Sequence, residues 1–295
     1  MFRTELPQVD AATQGAAESR AHALRQAAPR PAAKSAKAPR PSLSPGLRDR
    51  LTAAAVHLAL SAIVAIAVLA LVLLAWYPEP MTRLHGVDSI LLIMLGVDVA
   101  LGPLFTLIVF DRRKRNLSLD LATIAALQLG ALAYGLHTVH QGRPAFVVLV
   151  KDRFEVVAPS ELLPQARREA RSNPLATLDP FGPRWVAARM PESQQERNAV
   201  LFEAVESGRD VQHHPKLYVD YGKEAPASLP RALPIARLRS LNPQRAAEID
   251  AAIVATSLPE DQVRYLPLRA PARDGAVLIG LPSGEVLKVL SLTPW

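Results

Sequence analysis

The run Val87–Phe110, VDSILLIMLGVDVALGPLFTLIVF, constrains the chain more than any other stretch. A helix rising ~1.5 Å per residue needs about 20 apolar residues to cross a hydrocarbon core ~30 Å thick, and this run is long enough. Apolar runs of similar length stand on either side, at about 51–76 and 117–139. The sequence therefore predicts an α-helical membrane part of three transmembrane helices, with spans at about 51–76, 87–110 and 117–139. A small α+β soluble domain over 141–295 is expected to follow.

The charges give an orientation. Residues 1–50 carry nine Lys or Arg against four acids, and the word RRKR, Arg112–Arg115, closes the second span. The connection between the first two spans holds one Arg, Arg83. Basic loops stay on the cytoplasmic side, which puts the N-terminus inside and the soluble domain outside. In a bacterium the outer side is the periplasm, so a multi-pass inner-membrane protein with a cytoplasmic N-terminus and a periplasmic C-terminal domain is expected. Trp76-Tyr77 marks the outer interface of the first span, and Pro78 and Pro80 end that helix.

The tail over 1–50 is rich in Ala, Pro and Arg, a composition that buries too little apolar surface to fold. A basic, solvated segment beside anionic headgroups is expected there. An adaptor segment, or a start at Leu43 or Leu47, are the alternatives. In the soluble part, Ala145–Val150 and Arg153–Ala158 around Lys151-Asp152 read as a hairpin. Ser160–Arg171, Pro191–Ser207 and Asn242–Ser257 read as helices, with Val200, Leu201, Ala204 and Val205 forming the apolar face of the middle one. Gly182–Met190, Arg264–Arg269, Ala276–Leu281 and Val286–Leu292 read as strands.

Asp98 is the residue that composition alone does not explain. A carboxyl inside an apolar helix faces protein or water rather than lipid, and Gln128 lies at a similar depth on the third helix. Three readings stay open for this pair: a structural bond between helices, contact with a helix of another protein, or proton chemistry. Gly96 and Gly102-Pro103 fit close packing and a kink. His137-x-x-His140 and His213-His214 lack further ligands at a metal-binding spacing. The chain has no cysteine, which removes disulfides, thiolate metal sites and a cysteine nucleophile. No phosphate-binding, hydrolase or zinc-protease word occurs, so no enzyme, cofactor or small-molecule substrate is expected. Aromatics are 5% of the residues, too few for a stacking nucleic-acid face.

Several words together resemble the TfpX/TfpZ family of type IV pilin accessory proteins. They are AWYP (Ala75–Pro78), GVDVALGPLFTLIVF (Gly96–Phe110), LDLATIAALQLGALAYG (Leu119–Gly135) and RPAFVVLVKDRFEVV (Arg143–Val157). GPRWVAARMP (Gly182–Pro191), KLYVDY (Lys216–Tyr221) and RYLPLRA (Arg264–Ala270) follow in order. The resemblance covers about Arg50–Trp295 and leaves the tail outside the family pattern. It implies a non-enzymatic inner-membrane factor that associates with the major pilin and assists pilin stability or pilus assembly. Pilins of this type carry a long apolar N-terminal helix, with an acid in its embedded part, and a globular head outside. A membrane-anchored periplasmic ligand sensor that signals through its spans is the alternative.

Overall fold

The computed structural model describes residues 45–295. The expectation for the tail lies outside the described residues, except for 45–50, which are helical. Helix α1 runs Pro45–Leu71 and finishes in one π-helical turn, Val72–Trp76. It starts before Leu51 because nothing in the stub LRDR breaks a helix and Pro45 suits a first turn. Helix α2 is short, Met81–His85, and α3 covers Val87–Val109. Helix α4 is Leu117–Gln141.

Helices α1, α3 and α4 are each long and apolar enough to cross a membrane, and at most 11% of any one's apolar window is buried inside the protein. Many of their Leu, Ile and Val side chains are left uncovered by the rest of the described protein. Helix α3 sits in the middle, packed against α1 on one side and α4 on the other. It continues through Pro103.

Beyond α4 lies a mixed sheet with helices on its faces. Strands β1 (Phe146–Val150) and β2 (Arg153–Val157) form the expected hairpin, with Lys151 at φ 56 in the turn. A short α5 (Pro164–Glu169) and β3 (Arg184–Ala188) follow. Helix α6 (Gln194–Ser207) is capped by Ser193, whose Oγ accepts from the Glu196 amide, and ends at Gly208 with φ 71. Next come β4 (Tyr218–Asp220), α7 (Tyr221–Ser228), β5 (Leu233–Pro234), α8 (Ile235–Leu241) and α9 (Ala246–Ala255). The antiparallel strands β6 (Val263–Arg269), β7 (Gly275–Gly280) and β8 (Glu285–Leu290) complete the sheet. Its order is β4-β3-β1-β2-β6-β7-β8, with β5 paired to β6. The pairs β1–β3 and β2–β6 are parallel.

Alternation along the strands divides the core. One face, with Tyr265, Ala276 and Leu278, packs on Ile235 and Leu238 of α8 and on Ile249 and Ala252 of α9. The opposite face, with Val147, Leu149, Phe154, Leu266, Leu268 and Val277, receives Met81 and Leu84 from α2. The connection between α1 and α3 is therefore part of the sheet domain's core. Leu84 is fully buried, its carbonyl accepts from the amides of Ala272 and Arg273, and a Cβ on Gly275 would come within 3.2 Å of its side chain.

Three local readings need correction. The helix expected over 160–171 is reduced to a 3₁₀ turn, Pro159–Glu161, followed by α5, because Pro164 can only open a helix here. Asn242-Pro243 opens a 3₁₀ turn before α9 rather than the helix itself. The apolar face assigned to α6 is mostly uncovered. Only Val200 is buried, while Leu201, Phe202 and Val205 are 52%, 76% and 91% exposed.

Candidate functional site

Because α1 and α4 both pack on α3, a cleft opens between them with α3 as its floor. It holds about 250 Å³ and is lined mainly by apolar side chains. Its polar members are His57 and Ser61 from α1, Asp98 from α3 and Gln128 from α4. His57 and Ser61 are spaced i, i+4 on α1 and so share a face.

The structure brings Asp98 and Gln128 together, but not by a side-chain pair. The Gln128 amide donates to the main-chain carbonyl of Asp98 at 3.0 Å. Gly102 makes room for this, since a Cβ there would overlap the Gln128 amide. Gly135 makes similar room for Met94, whereas Gly96 has no close neighbour and packs nothing. His57 Nδ1 lies 2.6 Å from the hydroxyl of Thr106, which is itself buried. The Asp98 carboxyl has no hydrogen-bond or ion-pair partner among the described residues and lines the cleft. A carboxyl without a donor in apolar surroundings is costly, and a partner group that reaches it relieves that cost.

Sequence reasoning did not single out His57, Ser61 or Thr106. The available signal was the i, i+4 spacing of His57 and Ser61 in an otherwise apolar helix.

A second polar cluster joins these helices to the sheet domain. The Tyr77 hydroxyl donates to the Val139 carbonyl at 2.8 Å, and Thr82 Oγ1 donates to the Tyr77 carbonyl at 2.6 Å. Trp76 packs against His140 with ring centroids 4.6 Å apart and planes tilted by 59°, while His137 is exposed, so the two histidines do not converge. Arg143, buried, donates to the His140 carbonyl at 2.8 Å and to the Asp179 carbonyl at 3.0 Å. His214 instead lies 3.6 Å from Glu203, away from this cluster.

His85 packs edge-on against Tyr77 and bonds the Met81 carbonyl at 3.1 Å. Burial lowers its pKa from 6.5 to about 4, with the Met81 bond opposing the shift. The folded protein therefore holds His85 neutral while the unfolded chain protonates it. Stability is full above about pH 6.5, falls as pH drops toward 4, and loses nothing more from this group below that. Melting at pH 7.5 and 4.5 should show a His85-dependent loss of ~2 kcal/mol. His85→Gln should remove that part of the difference, and an unchanged difference would show that His85 is solvated.

The chain is similar to known proteins of pilus biogenesis. A model for "Fimbrial assembly protein FimB" matches residues 45–86, which span α1, α2 and the turn between them. The fimbrial assembly protein of serogroup E1 from Dichelobacter nodosus is 30% identical over 220 residues, covering 72% of this chain and 83% of that protein. The serogroup I protein of the same organism matches at the same identity and coverage. The protein of serogroups C1 and C2 is 31% identical over 110 residues, 37% of this chain and 84% of its own length. No solved structure matches. Coverage of that extent makes the chain a member of the fimbrial assembly protein family, the kind of type IV pilin accessory protein that its sequence words resemble.

Proposed function

We propose that this chain is a non-enzymatic accessory factor of pilus assembly that receives the major type IV pilin in the bacterial inner membrane. In this reading α1, α3 and α4 cross the membrane, the N-terminus is cytoplasmic and the sheet domain is periplasmic. The role in pilus assembly follows from the relatives. The observation that carries the finer reading is the cleft between α1 and α4 with the unpartnered Asp98 carboxyl on its floor. A single apolar helix laid along α3 would cover that cleft and bury the side chains that line it. Its polar groups would meet Asp98, while an acid on the same helix would find the Ser61 hydroxyl and the His57 ring as donors. The rigid junction through α2 would hold the pilin head beside the sheet domain.

Removing the gene is expected to abolish or sharply reduce piliation, with recovery on complementation. Unchanged piliation would reject the role. Orientation is tested separately with alkaline phosphatase fusions. A fusion after Gln141 should be active and one after Arg115 inactive, and the reverse pattern would place the sheet domain in the cytoplasm.

A further inference from the structure

We infer that the loop carrying Phe181 is a second membrane contact, in which the phenyl ring inserts at the lipid headgroup boundary. The inference rests on the membrane reading above and concerns a surface that reading does not use. Phe181 is 66% exposed, and prolines flank its turn at Pro180 and Pro183. The turn is built rather than loose: the Phe181 amide donates to Asp179 Oδ1 at 2.9 Å, and Gly182 adopts φ 71.

The position of the turn relative to the spanning helices is set by one side chain. Arg143 bonds the His140 carbonyl, in the last turn of α4, and the Asp179 carbonyl at the same time. Phe181 is two residues further on. The same last turn of α4 bears the Trp76–His140 contact, and the Tyr77 hydroxyl is bonded there to Val139. Aromatic rings gather at this depth of a bilayer because the boundary accepts a flat apolar ring beside polar groups. The occupant is committed by this continuity. Phe181 is two residues from the carbonyl that Arg143 ties to the last turn of α4, so its exposed ring lies within reach of the lipid boundary at that end of the helix.

The absence of cysteine makes the test direct. Single variants Phe181→Cys and Leu127→Cys, each carrying an environment-sensitive fluorophore, are placed in phospholipid nanodiscs as the full chain. Leu127 is 71% exposed on α4 and reports on the membrane reading itself. At position 181 the expected result is blue-shifted emission, quenched several-fold more by a spin label near the lipid headgroup than by aqueous iodide. Quenching by iodide with no lipid quenching overturns the inference, as does protection from both, which would mean that protein covers the loop. If Leu127→Cys escapes a second spin label placed deep in the acyl chains, the membrane reading has failed and the inference falls with it.

Discussion

Replacing Leu84 by alanine is expected to lower the stability of the protein by about 2–5 kcal/mol, the usual cost of truncating a fully buried leucine. Leu84 sits on α2, in the connection between α1 and α3, yet it is buried in the core of the sheet domain with Val147, Leu149, Phe154 and Val277. Its carbonyl also holds the amides of Ala272 and Arg273. Leu84→Asp should be worse, because it leaves an unpaired charge in that core. The loss should appear as sheet-domain proteolysis and a lower melting temperature in detergent. Leu127→Ala, on an uncovered face of α4, should melt like the wild type. A Leu84→Ala protein that also melts like the wild type would mean that the helices and the sheet are not packed through α2.

The Asp98 substitutions should separate partner contact from internal structure. Gln128 bonds the main-chain carbonyl of residue 98, so neither Asp98→Asn nor Asp98→Leu deletes that bridge. The level of this protein should therefore change little in either variant. Asp98→Asn keeps hydrogen-bonding capacity and should retain pilin. If the proposed helix contact exists, Asp98→Leu removes an interaction worth about 1 kcal/mol, and should reduce pilin recovered per molecule about fivefold. Gln128→Leu, which does delete the bridge, should instead lower the abundance of the protein itself. Unchanged pilin recovery in Asp98→Leu would make Asp98 an internal residue only.

The parts of the fold with a strong local signal were legible in the sequence. The three apolar helices were set by run length, and the β1–β2 hairpin by its alternation around Lys151-Asp152. The docking of α2 was not. Met81 and Leu84 are spaced i, i+3 between Pro80 and Gly86, which marks a helical turn but does not say where it packs. Only the three-dimensional arrangement puts that turn against the sheet. The strands β4 and β5 are too short to show a period, and α7 carries Pro226 inside it. On α6 the apolar stripe is real, but amphipathicity says that a face is apolar, not that the chain covers it. At the cleft, Asp98 and Gln128 stood out as polar groups at one depth. That the bond would use the main-chain oxygen and leave the carboxyl open depended on Gly102 admitting the Gln128 amide, a detail of packing.

The central claim, that the cleft between α1 and α4 receives the pilin helix, is tested most directly by photo-cross-linking in intact piliated cells. A photoreactive residue is placed at Ser61 or Leu132, which line the cleft, and at Leu127, which points away from it on the same helix as Leu132. The account predicts a pilin adduct from Ser61 and Leu132 and little or none from Leu127. No adduct from the cleft positions, or equal yields from all three, would contradict it.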